Sequence, residues 1–283
     1  MSIFKSKTAA IGWTIEPCFI ITLNIRDLEL LNAIKNFFSV GSVSVVGKDA
    51  RFRVRSRSEL SVIINHFNKY PLQSTKALNF RYFCEIFNLM NDKVHTNISG
   101  FLKLASLINR LNKPLSDSLL AKLALLGPLP KVEFETSYNF SSENMVQNLN
   151  TFWISGFAAG EGSFTYFTKT RVNSADKPVK DYFLVFEVSQ RTQDLHLLNL
   201  IASYFKTGKV YTETSGVSRF RFSGKDHIIS TLVPHFRDYP LQGHKNLQYL
   251  AWLKAVNLLT AQVKTNERDE ELEILIKDLS SLK

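Results

Sequence analysis

The chain has 283 residues, enough for two domains of ordinary size, and 45% of them are hydrophobic, enough to bury a core in each. The excess of basic residues behind its formal net charge of +10 lies outside the C-terminal residues 261–283, which favours a polyanionic partner over a general solubility effect. No apolar run is long enough to span a bilayer and no signal-peptide layout opens the chain, so we expect a soluble intracellular protein without a membrane partner.

Cysteine and histidine usage indicates neither a disulfide framework nor a zinc site. Cys18 and Cys84 lie among apolar neighbours, and we expect both to be reduced core residues. The 6 histidines are scattered, and none of them has the spacing of zinc ligands.

The first half of the chain predicts strands and helices in succession. Apolar and β-branched runs predict strands over residues 18–23, 43–45 and 51–57. Apolar side chains at helical spacing predict helices over residues 28–38, 59–67, 76–89 and 98–111. Helices that follow strands in this way are typical of an α+β unit.

The second half repeats the first, with a strand over 184–189, a helix over 194–205 and strands over 209–212 and 219–222. The matched residues include Asp27 with Asp194, Leu31 with Leu198, Phe38 with Phe205, Gly41 with Gly208, and His66 with His235. We therefore predict one repeat over residues 1–123 and a second over residues 151–283. The Gly-, Pro- and Ser-containing stretch 124–150 is interpreted as a linker.

One predicted strand in each half alternates cationic with apolar residues. Alternation places the two sets on opposite faces of a strand, and like charges on one face repel unless a counter-charged partner lies against them. Guanidinium groups suit phosphate and the acceptor edge of guanine in the major groove, so we interpret both faces as nucleic-acid surfaces. The alternative is a charged edge strand that prevents aggregation. The residues are Arg51, Arg53, Arg55 and Arg57 in the first half and Arg219, Arg221 and Lys225 in the second.

A segment over residues 152–164 occurs only in the second half. We predict a helix with one nearly bare face, which a second helix could approach closely. That face combines Phe152, Ser155, Gly156, Ala159 and Gly160. Glu161 ends the helix, where a carboxylate is poorly placed for stability, and a role as ligand of a divalent cation explains it. The alternative is a solvated glutamate before a glycine cap.

Together these residues resemble the LAGLIDADG homing endonuclease family of the single-chain, two-repeat type. Residues 152–164, which end in Gly-Glu-Gly-Ser-Phe, resemble its second signature helix, and the Tyr-Pro-Leu-Gln blocks ahead of Lys76 and Lys245 agree in order. The resemblance covers most of the chain, from about Ile3 to Leu253. It implies an α+β fold of two pseudo-symmetric repeats, each with an antiparallel DNA-binding sheet backed by helices.

The resemblance also implies a chemistry, which is site-specific hydrolysis of phosphodiester bonds in duplex DNA with Mg²⁺. Glu161 and Gly160 would hold the metal, and Gln190 would orient the attacking water. Lys245 would stabilise developing phosphate charge, with Lys76 as its counterpart in the first half. The alternative for both lysines is a surface charge after a turn. Further DNA contacts are implied at Lys169, Arg171, Arg191 and Lys209.

The sequence begins at Met1, in what resembles the strand after the first signature helix, and no acidic residue precedes Glu16. We therefore expect this chain to lack that helix and its acid, because the start is internal to a longer reading frame or because the gene is decaying. A monomer is expected if a full-length chain supplies the helix.

Three functions stay open. The first is an intron-encoded DNA endonuclease, the second is an RNA maturase that assists intron splicing, and the third is a non-catalytic DNA-binding protein. The abundance of Phe, Ile, Asn and Lys suits an AT-rich coding sequence, so we expect a mitochondrial protein.

Overall fold

The computed structural model describes residues 1–111, 113–133, 149–261 and 265–282. The chain divides into two compact units, Met1–Met145 and Val146–Lys283. Each combines helices with strands that pair antiparallel, as the α+β prediction requires. Much of the predicted linker, its residues 134–148, lies outside the described residues.

The first unit contains strands β1 (Ser2–Lys5), β2 (Trp13–Glu16), β3 (Phe19–Asn24), β4 (Ser42–Val46) and β5 (Asp49–Val54). Its helices are α1 (Leu28–Phe38), α2 (Arg57–Lys69), α3 (Lys76–Asn91), α4 (Ile98–Asn109) and α5 (Asp117–Ala124). Strands β1 and β2 form a hairpin, and β3, β5 and β4 form a sheet in that order. The helix predicted over residues 28–38 is confirmed at both ends.

The second unit contains strands β6 (Gly162–Val172), β7 (Pro178–Arg191), β8 (Lys209–Thr212) and β9 (Val217–Ser223), in the sheet order β6-β7-β9-β8. Its helices are α6 (Thr151–Glu161), α7 (Leu195–Phe205), α8 (Lys225–His227), α9 (Val233–Asp238), α10 (His244–Ala261) and α11 (Asn266–Ser281). A five-residue π-helix, Ile228–Leu232, joins α8 to α9.

Each sheet buries one face against helices. In the first sheet Phe52 of β5 pairs with Ile21 and Val43, and all three belong to one apolar cluster. In the second sheet Phe186 and Phe222 pair in the same way and lie in a core with Phe164 and Trp252. Side chains alternate along a strand, so the residues between these point to solvent.

Gly41 and Gly208, matched by the repeat, have positive φ angles of 78° and 91° that favour glycine. A Cβ at Gly41 would lie 2.5 Å from the carbonyl oxygen of Arg53, and one at Gly208 would lie 2.4 Å from the ring of Phe220. These glycines let the chain approach the sheet after α1 and α7. The repeat in the sequence therefore corresponds to a repeated backbone turn.

Pro17 makes the two units differ. In the first unit β2 ends at Glu16 and β3 begins at Phe19, whereas β7 of the second unit runs unbroken for 14 residues. Proline has no N–H to donate to a strand partner, so the ladder is interrupted there. The first unit therefore has a separate hairpin and a three-stranded sheet.

The strand predicted over residues 51–57 is too long. Strand β5 ends at Val54, and the Ser56 hydroxyl accepts a hydrogen bond from the backbone N–H of Glu59, which caps α2. Arg57 is the first residue of α2, and Arg55 is exposed between the two elements. The prediction that four arginines share one strand face is wrong, because only Arg51 and Arg53 do.

Lys225 also lies off the strand to which it was assigned. Strand β9 ends at Ser223, Lys225 begins α8, and its Nζ donates to the backbone carbonyl of Leu259 at 2.7 Å. That carbonyl is near the end of α10, where carbonyl groups lack intrahelical partners. Lys225 therefore caps a helix.

Both cysteines are free, as predicted, but they are partly buried and not core residues. Burial raises the pKa of the Cys84 thiol to about 11, so the thiol stays protonated at neutral pH. Over the described ranges, no helix combines the length and the apolar character that a membrane span requires.

Candidate nucleic-acid interface and catalytic residues

Helix α6 carries the segment that occurs only once in the sequence. The side chain of Asn150 accepts hydrogen bonds from the backbone N–H groups of Phe152 and Trp153 and so fixes the start of the helix. Ile154 and Ala158 are buried in the core of the second unit. The first turn and the buried face together fix the position of α6 on its own sheet.

The opposite face of α6 is nearly bare, as predicted. Phe152 is 65% exposed, and Gly156 and Gly160 are exposed as well. A Cβ added at either glycine would meet no atom within 4 Å. Close packing of a second helix on this face stays a prediction.

Ser155 was assigned to the bare face, and this assignment is wrong. Ser155 is 3% exposed, and its hydroxyl donates to the backbone carbonyl of Tyr239 at 2.7 Å. Its oxygen lies 3.2 Å from Nε2 of His235, and Nδ1 of His235 lies 2.9 Å from the hydroxyl of Tyr204. Because the serine proton is used at Tyr239, Nε2 donates to Ser155 and Nδ1 accepts from Tyr204.

This network requires a neutral imidazole at His235. Burial lowers the pKa of His235 to about 4, although the nearby carboxylate of Asp238 opposes the shift. The network ties α6 to α7, which carries Tyr204, and to α9, which carries His235. His235 was not among the predicted site residues, although its match to His66 in the repeat was a signal for a structural role.

Glu161 is the last residue of α6. Its carboxylate is exposed and has no hydrogen-bond or ion-pair partner within the part of the chain that the structure describes. Strand β6 begins at Gly162, where a Cβ would lie 2.4 Å from the carbonyl oxygen of Ala158. Glycine at this position therefore lets the chain pass directly from helix to strand.

Two further predicted catalytic residues of the second unit lie at the same end of the sheet. The Lys245 ammonium donates to the carbonyl oxygen of Gly162 at 2.8 Å. Gly162 pairs with Val188, and Gln190 follows two residues later on β7, partly buried on the face that packs against the helices. Glu161, Lys245 and Gln190 are thus grouped around the start of β6. Lys76 begins α3 in the first unit.

The end of α6 has the chemistry of a site for a hard divalent cation. Such cations prefer carboxylate and carbonyl oxygens. Glu161 offers an unpaired carboxylate, and the Gly160 carbonyl lies in the last helical turn, where carbonyl groups lack intrahelical partners. No group of three or more His, Cys, Asp or Glu in the described ranges could hold a metal.

The predicted cations of the second sheet share its solvent face. The pairing of β6 with β7 and of β9 with both neighbours places them in one alternating set. That set contains Lys169, Arg171, Arg191, Lys209, Arg219 and Arg221. Their contact with nucleic acid stays a prediction.

Acidic side chains of the chain itself balance part of this positive charge, so like-charge repulsion alone does not require an external partner here. Arg219 donates from Nη1 to Glu187 and from Nε to Glu213, each at 2.6 Å. Arg221 donates from Nε to Glu187 at 2.8 Å, and Arg171 donates to Asp181 at 2.7 Å. The folded chain therefore supplies counter-charges to part of its own cationic face.

Glu187 is the centre of this arrangement. Its side chain is 11% exposed and also accepts a hydrogen bond from the Tyr211 hydroxyl at 3.1 Å. Burial alone would raise the pKa of Glu187, but the hydrogen bonds from Arg219 and Arg221 outweigh burial and hold the pKa below its usual range. The carboxylate is therefore charged at neutral pH.

Replacing Glu187 by Gln is expected to lower the free energy of unfolding of the second unit by about 1–2 kcal/mol. The change removes the negative charge that lies between the guanidinium groups of Arg219 and Arg221. Both arginines are partly exposed, so water offsets part of the lost stability. The measurement is the urea midpoint at constant slope. Glu213→Gln is the matched control and should shift the midpoint little, because Arg219 keeps Glu187. Equal shifts for both variants would contradict the central role of Glu187.

In the first sheet the cations have weaker partners. Arg51 lies 3.7 Å from the carboxylate of Asp49, and the Nε of Arg53 is buried without a hydrogen-bond partner among the residues the structure describes. Off the strand, Nη2 of Arg57 lies 3.5 Å from Nε2 of His95. The solvent face of this sheet is thus less neutralised than that of the second.

Comparison with known proteins gives a family match over most of the chain. The family model described as "LAGLIDADG endonuclease" matches residues 1–87 and 154–256. Two relatives from Neurospora crassa, named probable intron-encoded endonucleases 3 and 2, are each 28% identical over 90% and 95% of this chain. The chain covers 46% and 59% of their lengths, about half of the curated relatives it matches. A relative from Podospora anserina, 32% identical over 32% of this chain and matched over 21% of its own length, is described as a protein in ND4 intron 1.

Solved structures match the whole fold. I-SmaMI bound to an uncleaved DNA target in the presence of calcium ions has a TM-score of 0.82 and 26% identity, over 99% of this chain and 93% of that one. The homing endonuclease I-GzeII in complex with its DNA target has a TM-score of 0.80 and 27% identity, over 100% of this chain and 93% of that one.

Proposed function

The chain belongs to the LAGLIDADG endonuclease family, and from this premise we propose that it is an intron-encoded homing endonuclease that cleaves duplex DNA at a specific site with Mg²⁺. The observation that carries the proposal is the end of α6, where the unpartnered carboxylate of Glu161 adjoins the Gly162 carbonyl that holds Lys245. The same unit presents the cationic solvent face of the second sheet.

Each grouped residue has a role in hydrolysis. Glu161 and the Gly160 carbonyl would hold the metal ion, which supplies an activated water and stabilises the leaving oxygen. The Gln190 amide would orient the attacking water by hydrogen bonding. Lys245, fixed on Gly162, would place a positive charge where the phosphate becomes more negative. Lys76 would have the same role in the first unit.

Double-stranded DNA is the proposed partner. The cations of the second sheet suit the phosphate backbone and the acceptor edges of bases, together with Arg51 and Arg53 of the first sheet. Arg55 and Arg57 lie off the sheet and Lys225 is engaged with α10, so their part in binding is limited to phosphate. The similar solved structures named above hold DNA targets. The intron-encoded relatives, one of them in an ND4 intron, favour an organelle gene and a mitochondrial protein. We propose a monomer for a full-length chain that supplies the first signature helix.

The test is strand cleavage by the full chain with and without Mg²⁺. A plasmid library that carries genomic fragments free of the host intron is incubated with Mg²⁺, with Ca²⁺ or with EDTA, and nicked and linear products are separated on gels. We expect mainly nicked product, and only with Mg²⁺, because Glu161 is the one signature-helix acid identified in this chain. DNA binding is expected with either cation. Cleavage that persists in EDTA would contradict the role of the metal.

Intron RNA is the competing ligand, because an RNA maturase was the alternative function. Binding to duplex DNA and to intron RNA is compared at several salt concentrations, since the phosphate contribution to affinity depends on salt for both. Tighter binding of RNA throughout, without metal-dependent cleavage of DNA, would overturn the endonuclease in favour of the maturase.

A further inference from the structure

Two phenylalanines form an exposed apolar patch on the cationic face of the second sheet. Phe167 of β6 and Phe183 of β7 lie directly opposite each other, with ring centroids 4.8 Å apart and an interplanar angle of 9°. They remain 39% and 40% exposed. By strand alternation they lie on the same face as Lys169, Arg171 and Arg221.

The patch is bordered by positive charge and by a cavity. The Lys169 ammonium lies 5.8 Å and 5.6 Å from the centroids of the two rings, within cation–π range. A cavity of about 340 Å³ opens beside the rings and is lined by both phenylalanines, Leu184, Lys225 and Leu259, among others. An apolar group that reaches the rings therefore comes close to a cation.

Packing within the hairpin formed by β6 and β7 explains only part of why two phenylalanines lie here. A cross-strand aromatic pair stabilises a hairpin, but it does so with its buried surface. The exposed remainder lies in water amid cations, where a polar residue would cost less. The parallel rings also make a blunt surface, unlike the single protruding side chains that act as wedges between base steps. The patch therefore suits a shallow apolar group on a polyanion.

We propose that Phe167 and Phe183 determine part of the target sequence by contacting the C5-methyl groups of thymine in the major groove. This inference rests on the proposed function. Thymine is the base that displays a methyl group in the major groove, and phenylalanine is one of the side chains suited to contact it. Lys169 and Arg171 follow Phe167 along the same face of β6 and suit the phosphates next to such a base.

The test starts from a random-sequence duplex DNA library and the full chain. Bound sequences give a consensus, and each thymine of the consensus is then replaced by deoxyuridine, which lacks only the C5-methyl group. At the positions beneath the hairpin we expect about fourfold weaker binding per methyl removed, equivalent to ~0.8 kcal/mol for one buried methyl-sized group. Duplexes with 5-methylcytosine at these positions should likewise bind more tightly than duplexes with cytosine.

Variants assign the effect to the patch. Phe183→Ser should remove the discrimination between thymine and deoxyuridine at those positions alone, while Phe183→Leu should retain most of it. Lys169→Gln should weaken binding to all sequences alike and reduce its salt dependence. Since deoxyuridine scanning needs only the unaltered chain, a variant that fails to fold leaves the scan decisive.

Failure of the inference and failure of the proposed function give different results. A chain that binds duplex DNA with a sequence preference but tolerates deoxyuridine everywhere overturns the role of the phenylalanines alone. Methyl discrimination that persists in Phe183→Ser also overturns it. A chain that binds no duplex DNA overturns the proposed function.

Discussion

Replacing Glu161 by Gln is expected to lower the rate of Mg²⁺-dependent cleavage by about 1,000-fold or more and to leave DNA affinity nearly unchanged. A neutral amide is a poor ligand for a hard cation, and a metal site contributes several kcal/mol of charge stabilisation to the transition state. Each 1.4 kcal/mol corresponds to about tenfold in rate. Because the carboxylate has no partner in the described chain, its removal should not lower stability. The measurement is the single-turnover rate of plasmid nicking and linearisation.

The matched control is Glu271→Gln, which changes an exposed helical glutamate of α11 in the same unit. It should cut at the unaltered rate. Affinity for the consensus duplex in Ca²⁺ shows whether Glu161→Gln still binds. Persistent cutting by Glu161→Gln would exclude the carboxylate as metal ligand, and a parallel loss of binding would show that it positions DNA instead.

Stability of the second unit is expected to fall as the pH drops from 7.5 to 5, and His235 is expected to be a main cause. The unfolded chain protonates this histidine near its usual pKa of 6.5, whereas the folded chain does so only near pKa 4. Protons therefore bind preferentially to the unfolded state between these values, and stability is lost as the pH falls through this window. The expected loss is about 2 kcal/mol at pH 5, rising to roughly 3 kcal/mol below pH 4.

Urea unfolding at pH 7.5 and pH 5 measures the loss, and an NMR titration of the histidine rings measures the pKa directly. His235→Gln should be less stable at pH 7.5 and should lose most of the dependence on pH. His66→Gln is the control, because it changes the matched histidine of the first unit and leaves the network of Ser155, His235 and Tyr204 intact. His66 contacts the rings of Phe37, Phe38, Phe67 and Tyr70. A pKa near 6.5 for His235 would contradict the buried network.

Apolar periodicity predicted α1 at its observed ends, and in the structure the left-handed conformation of Ser39 ends the helix there. The same kind of pattern extended β5 too far. The alternation of arginines continues past Val54, but Ser56 followed three residues later by Glu59 is a capping-box sequence that starts a helix. Local capping overrode alternation, and that signal was present in the sequence.

Other features of the site depend on register and cannot be taken from local patterns. Arg219 and Arg221 are visible as a cationic set, but Glu187 reaches them only because β7 and β9 pair with Glu187 opposite Arg221. Ser155 likewise looked like one more small residue of α6, and its partners lie about 80 positions along the chain. In both cases the partner of the side chain is set by contacts between residues far apart in the sequence.

The hydrogen bonds that Glu187 accepts have a consequence for encounter with any polyanion. A guanidinium held in place by a neighbouring carboxylate has already lost most of its rotamer entropy, so little more is lost when it docks. The same carboxylate weakens the long-range attraction that would hold the chain on arbitrary phosphate backbones. Rigid, locally neutralised arginines should therefore bind arbitrary phosphate backbones weakly and a fitting surface more selectively. Their association rate should also be lower.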